Sequence, residues 1–404
     1  MPPTRAGGYD RHMEFAPAKR GPSHRSRAGS AVPVLRWVLR VLLALLLSVG
    51  TAVGYLYQNL QGNINVHNVD QFFDPEERPT SPPPADESAG KALNILVLGS
   101  DVRAGDSDVD GAGASGYITG MRSDTAMLMH ISADRTRVDV VSIPRDTLVT
   151  IPSCILADGS RTYEQHDAMF NSAFQTGGQQ GDVAGAAACS IRTVEEMSNI
   201  YIDGFVAVDF ASFQDIVNTL GGVDICLSEP ANDEAAGLHL EAGCQVLDGQ
   251  QALALARARK SLGDGSDISR IGRQQQMVEA IMSKALSLNI VSNLPTLYGV
   301  LNDVTENIDV SPSLGSITYL GGLAYSLRGL SLDNVHFVTM PFIPEGNRVR
   351  PAPAATDVWE AIRNDQPLPE IAAMGNTDSP IMKGTEEEIN AFQQAIGGGL
   401  LLED

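Results

Sequence analysis

The chain has 404 residues, 43% hydrophobic and 19% charged, with a formal net charge of −21, enough length and apolar content for one large domain or two ordinary ones. The first 40 residues carry eight Lys/Arg against Asp10 and Glu14, a net of +6, which leaves −27 on the rest. A region that acidic lacks the basic footprint a nucleic-acid backbone requires, so nucleic acid is excluded as a partner.

Residues 1–33 are polar, Gly- and Arg-rich, the composition of a disordered basic tail. The run VPVLRWVLRVLLALLLSVGTAVGYLY (32–57) follows, with Arg36 and Arg40 near its entrance, Trp37, Tyr55 and Tyr57 at interfacial depths, and no charge from Val41 to Tyr57. It predicts a transmembrane signal-anchor helix over 34–57, with the basic tail in the cytoplasm and everything after it outside. The rival is a cleavable signal peptide, since Ser48, Gly50 and Ala52 are small, but the apolar stretch is long and no clean Ala-x-Ala site follows. Residues 58–90, ending in the Pro- and Glu-rich DPEERPTSPPPADESAG, read as an extracytoplasmic spacer.

The folded domain is expected over 91–367. LNILVLGSD is a short apolar run ending in glycine, the pattern of a strand buried on both faces. SDTAMLMHIS (123–132) and RVDVVSIPRD (137–146) read as two further strands, with helices at 167–176 and 182–198. Asp209 and Asp248 are predicted helix caps, the first helix running through Leu220 and stopped by Gly221 and Gly222 before the strand GVDICL. Helical patterns recur near 269–287, 296–306, 313–327 and 356–364, and NVHFVTMP (334–341) is a strand. A C-terminal extension over 368–404 carries one helix signature, TEEEINAFQQAIG, opened by a capping box from Thr385 to Glu388. Strands interleaved with helices predict an α/β domain with a mixed central sheet, helices on both faces, and ligand chemistry at the strand ends. All four cysteines follow the membrane segment. An even count suits an oxidising compartment and admits three pairings, of which Cys154 with Cys189 and Cys226 with Cys244 is favoured; the alternative is buried free thiols.

Two carboxylates fall at predicted strand ends, Asp101 in GSDVR and Asp124 in RSDT, accompanied by Arg122 and Arg145. Mixed signs at one rim point to a metal and a polyanion together. Magnesium needs only one or two carboxylates plus phosphate oxygens and water, and the planar guanidinium fork suits the phosphate. A second cluster, ARARKSLGDGSDISRIGRQQQ (256–276), holds Arg257 and Arg259 at i, i+2 and Arg270 and Arg273 at i, i+3, so only the latter pair shares a helical face. For any one of these arginines, an ordinary surface ion pair is the competing reading. GAGASG (111–116) opens no evident helix, and DSDVDG (106–111) has Tyr117 where a calcium loop requires glutamate, so neither is a nucleotide or calcium site.

Taken together, NILVLGSDVR, RSDTAMLMHI, VSIPRDTLV, FNSAF, VDFASFQDIVNTLGGVDICL, LDGQQALALARARK and DISRIGRQQQ resemble the LytR-CpsA-Psr (LCP) family over about 93–341. The resemblance implies an enzyme that takes a glycopolymer (arabinogalactan, teichoic acid or capsule type) from a polyprenyl diphosphate carrier and transfers it, with one phosphate, to a muramic acid hydroxyl of peptidoglycan. It implies magnesium on Asp101 and Asp124, and a diphosphate surrounded by Arg122, Arg145, Gln251, Arg257, Arg259, Arg270 and Arg273. Asp101, Asp124, Arg145, Arg259 and Arg270 would then be catalytic, with pyrophosphatase activity as a side reaction. Asp146 and Asp124 are the candidate bases, and Phe205, Phe210 and Phe213 are read either as walls of a prenyl channel or as plain core. The alternative is a membrane-tethered protein that binds or senses polyprenyl phosphates without turnover.

Overall fold

The computed structural model describes residues 31–81, 90–100, 123–234, 236–258, 267–287, 294–306, 308–369 and 381–382. The chain divides into two units between Leu56 and Tyr57. Most of α1 (Ala31–Asn63) belongs to the first. Its stretch Leu35–Asn63 is long and apolar enough to cross a membrane, and Trp37, Leu42, Leu46 and Tyr55 stand exposed around it, as in a helix whose solvent is hydrocarbon.

In the second unit β1 (Asn65–Val66) precedes three strands, β2 (Leu93–Ser100), β3 (Ser123–Ile131) and β4 (Val138–Ile143). A hairpin of β5 (Leu148–Ile151) and β6 (Gln165–Met169) leads to α2 (Ser172–Gly177) and α3 (Val183–Ser198). Then come β7 (Gly204–Val208), α4 (Phe210–Thr219), β8 (Val223–Leu227), β9 (Ala231–Asp233), β10 (Leu238–Leu240) and β11 (Gly243–Leu247). Helices α5 (Gly249–Arg257), α6 (Asp267–Ser287) and α7 (Leu294–Glu306) follow, then β12 (Asp309–Val310) and α8 (Ile317–Ser326). The chain continues through β13 (Val335–Thr339), β14 (Phe342–Glu345), β15 (Arg348–Pro351), α9 (Pro353–Arg363) and β16 (Ile381–Met382), which pairs with β8.

The central sheet runs β1-β12-β7-β2-β3-β4-β13. Its β1–β12, β7–β2 and β4–β13 pairs are parallel and the rest antiparallel. The two-residue period of a strand sends Leu96, Leu98, Leu128 and Val141 to one face, into a core shared with α3 and α9. Ile95, Met127, Val138 and Val140 go to the other, against α6 and α8. A third core, with Val217, Ile225, Leu247 and Leu255, joins α4 and α5 to β8 and β11. The expected mixed sheet with helices on both faces is the observed one.

Local chemistry sets the helix boundaries. Asp182, Asp209 and Asp248 each accept an N–H of the first turn of α3, α4 and α5, from Ala184, Ser212 and Gln251. Gly221 and Gly222 sit at φ +78° and +89°, where α4 stops and L side chains are strained. Disulfides join Cys154 to Cys189 and Cys226 to Cys244, as favoured from the sequence. The first ties α3 to the loop after β5, and the second bridges opposed residues of β8 and β11.

Two expectations are corrected. The helix predicted over 167–176 begins only at Ser172, because QHDAM (165–169) pairs along β5 instead. The 58–90 spacer is part of the domain up to Ser81: Leu60, Ile64, Val69 and Phe72 are buried, and the Arg78 guanidinium lies 2.6 Å from Glu195 and over the rings of Phe73 and Tyr201, each at 4.2 Å. Residues 82–89, and the helix expected at 385–397, lie outside the described residues.

Glu195 is nearly fully buried and Arg78 mostly so. Glu195→Gln strands a buried cation and is expected to lower stability by about 3–5 kcal/mol in urea unfolding. A second expectation concerns His67, whose Nε2 lies 2.7 Å from Asp309 Oδ1. That hydrogen bond raises the imidazole pKa above 6.5, so the folded chain holds the proton more tightly than the unfolded one. The stabilisation is complete below 6.5 and is lost as pH rises through the raised value. The urea midpoint of the native chain, measured against that of His67→Gln, is expected to fall across that window.

Candidate active site

Strands β7, β2, β4 and β13 share one direction, so Val208, Ser100, Ile143 and Thr339 end at the same side of the sheet, where β3 begins at Ser123. In open α/β sheets this carboxyl-end rim is where ligands bind. With neighbouring strands about 4.8 Å apart, the rim from β7 to β13 is about 19 Å across.

Beyond β4 the chain turns at Pro144, whose carbonyl accepts Thr147 N at 3.0 Å and Thr147 Oγ1 at 2.6 Å. Asn171 N donates to Arg145 O at 3.0 Å, which fixes the backbone from the far side. Thus held, Arg145 donates from Nη1 to Asp124 Oδ1 at 3.0 Å, on the first turn of chain into β3. Its Nε lies 3.7 Å from Asp146 Oδ2, and Asp146 Oδ1 faces Arg348 Nη1 at 3.8 Å. Arg145 is 17% exposed and Asp124 31%, so this pair of opposite charges is partly open to solvent.

Beyond β7, Phe210 lies two residues past the strand end, and the Arg257 guanidinium stacks 4.6 Å from its ring centre. That interaction, with the helix C-terminus, holds a cation at the last turn of α5. Beyond β4 and β13, Gln275 Nε2 donates to Ser142 Oγ at 2.8 Å and to Thr339 Oγ1 at 3.3 Å, pinning α6 to two strand ends at once. Arg273, fully buried, donates Nη2 to Ala258 O at 2.6 Å, the residue that ends α5. Arg270, three residues earlier on α6, is 3% exposed. Guanidinium groups withdrawn from water cost several kcal/mol each, which apolar side chains of similar size would avoid.

The structure thus brings Asp124 and Arg145 into contact and attaches the helices bearing Arg257, Arg270 and Arg273 to the same rim. Gln251 is occupied otherwise: its Oε1 accepts Asp248 N at 3.2 Å in the capping box that starts α5. Asp101, Arg122 and Arg259 lie outside the described residues. Phe205 is buried core and Phe213 packs on the third core. Sequence reasoning missed Arg348 and Gln275. The alternating NRVR after the EGN turn marks a hairpin, but only its bridge from Val349 to Thr147 brings Arg348 to Asp146.

A cavity of about 450 Å³ lies at the opposite end of the sheet, lined by Asn94, His130, Tyr201 and Asp365 among others. Its polar groups are satisfied by one another: His130 bonds Asn94 Oδ1 at 2.7 Å and Asp365 Oδ1 at 3.0 Å, and burial holds its pKa below 6.5. It is architecture that closes α9 onto the sheet.

Comparisons with known proteins bear on the family and the fold. The LytR_cpsA_psr family model matches residues 56–358. The "probable cell wall biosynthesis protein LcpB" of Corynebacterium glutamicum is 31% identical over 251 residues, 61% of this chain and 55% of that relative's own length. The "polyisoprenyl-teichoic acid–peptidoglycan teichoic acid transferase TagU" of Oceanobacillus iheyensis is 28% identical over 303 residues, 74% of this chain and 84% of that one. Among solved structures, a LytR-Csp2A-Psr enzyme from Actinomyces oris superposes with a TM-score of 0.52 at 22% identity, covering 74% of this chain and 96% of that one, a likeness of fold.

The partly exposed Arg145–Asp124 pair is expected to couple by about 1 kcal/mol. Urea unfolding of Asp124→Asn, Arg145→Gln and the double variant measures it, and simple additivity would show that the two side chains do not sense each other.

Proposed function

The chain belongs to the LytR-CpsA-Psr family, and from that premise we propose that it is a membrane-anchored phosphotransferase. It moves a glycopolymer, with one phosphate, from a polyprenyl diphosphate carrier to a muramic acid hydroxyl of peptidoglycan and leaves polyprenyl monophosphate. The observation that carries this reading is the Arg145–Asp124 contact on a strand-end rim to which α5 and α6 attach further arginines.

In the reaction the acceptor oxygen attacks the phosphorus that bears the glycan, and the bond from that phosphorus to the bridging oxygen breaks. The bridging oxygen keeps the electron pair and departs with polyprenyl phosphate. Negative charge grows on the transferred and leaving oxygens, and fixed guanidinium groups stabilise it without reorganising. Arg145 is preset for this by its turn and by Asp124, while Arg257, Arg270 and Arg273 supply positive potential from the other side. The acceptor's proton goes to a carboxylate of the rim, Asp146 or Asp124. Asp124, together with Asp101 outside the described residues, would hold a magnesium ion, whose charge would lie beside the phosphate oxygens. Water in the acceptor's place gives hydrolysis, the expected side activity.

Topology follows the same reading: a +6 head keeps the N-terminus in the cytoplasm, and two disulfides suit a domain on the oxidising side. Arg145→Ala and Asp124→Ala are each expected to lower transfer at least about 100-fold with the circular dichroism spectrum unchanged. The assay supplies the purified chain with a polyprenyl diphosphate glycan, peptidoglycan and magnesium. Undiminished transfer by both variants would remove them from the site, and an intact diphosphate with the native chain would favour a binding protein.

A further inference from the structure

Tyr57, Val66, Leu301, Tyr319 and Tyr325 stay between 37% and 66% exposed in the second unit. Single exposed apolar residues are ordinary, but these belong to elements that meet around the end of α1. Tyr57 Oη lies 3.4 Å from Thr318 Oγ1 on α8. Asn59 Nδ2 donates to Tyr298 Oη at 2.9 Å and Asn302 Oδ1 at 3.1 Å on α7. Gln61 both donates to Gly315 O at 2.7 Å and accepts Ile317 N at 3.0 Å, where α8 begins. Tyr57 is the last residue of the apolar run before the polar Gln58 and Asn59, the position at which an interfacial aromatic sits when such a helix spans a bilayer.

Helix α8 is built for such a boundary. Ile317, Leu320 and Leu323, at spacings of three, pack inward on the sheet. The outward face carries Tyr319, Gly321, Gly322, Ala324 and Tyr325. From Val310 to Leu332 there is no carboxylate, in a region that carries −27, and the one charge is Arg328, stacked 4.0 Å over the Tyr325 ring. Of the carboxylates flanking this stretch, Glu306 is bonded by Asn63 and Asn302 and Asp309 by His67, while Asp333 follows it at the far end. An acid-free face with tyrosines and one arginine matches the headgroup layer, where aromatic rings sit half-immersed and guanidinium reaches lipid phosphate.

We propose that the outward face of α8, flanked by Leu301, rests in the headgroup layer of the leaflet from which α1 emerges, giving the domain a second contact with the bilayer. The occupant is lipid because the face is free of carboxylates and carries the tyrosines and the arginine that suit a headgroup layer. The proposal rests on α1 spanning the membrane, and the test separates the two.

With all four cysteines in disulfides, one introduced cysteine takes one label. Full-length Tyr325→Cys, Leu46→Cys and Tyr163→Cys are labelled with nitrobenzoxadiazole and reconstituted in phosphatidylcholine/phosphatidylglycerol vesicles with and without doxyl lipids. Several-fold stronger lipid quenching at positions 325 and 46 than at 163, which is 93% exposed away from α8, is expected. Quenching at 46 but not 325, with 325 open to aqueous iodide, overturns the contact and leaves the anchor standing. Protection of 325 from both quenchers overturns it in favour of a protein partner or second copy. Absence of lipid quenching at 46 overturns the anchor and the contact together.

Discussion

Guanidinium groups held out of water are the constraint around which the second unit is arranged. Arg273 is fully buried and Arg270 nearly so, on one turn of α6. Desolvating a cation is unfavourable unless hydrogen bonds and charge compensate it. The compensation is structural: Ala258 O takes one N–H of Arg273, which locks α6 to the end of α5, and Gln275 then locks α6 to Ser142 and Thr339. Moving either helix would break hydrogen bonds to a buried charge, so the cations are positioned with the rigidity of the sheet.

Both ends of the sheet carry arginine–aspartate contacts. At the amino end of β2, Asp365 accepts Ala133 N–H and contacts both His130 and Arg137, each at 3.0 Å. That network follows the end of α9, and Asp365 in it is 30% exposed. At the carboxyl end, Arg145 and Asp124 meet with 17% and 31% of their side-chain surfaces still exposed, and Asp146 stands between two guanidinium groups at 3.7 and 3.8 Å, longer than the pairs at the amino end.

Much of this was legible in the sequence where local physics decides. The apolar runs of β2 to β4, the aspartate caps of α4 and α5, the glycine stop after α4 and the spacing of Arg270 and Arg273 all act within a few residues. Arg145 and Asp124 were legible because each follows or opens such a run. What was hidden depends on partners distant in the chain. QHDAM becomes β6 only because β5 pairs with it. Arg348 reaches Asp146 only through the bridge to Thr147. The stretch 58–81 looked like a spacer by composition, yet Val69 and Phe72 enter the core and Arg78 finds Glu195 across 117 positions.

That last point changes where the domain begins. A flexible spacer of some thirty residues would let the domain roam several nanometres from the membrane. Instead α1 runs without a break through Tyr57 and Asn59 into the domain's own hydrogen-bond network, and β1 pairs with β12 immediately afterwards. The last turns of α1, from Tyr57 to Asn63, are therefore a structural element of the domain.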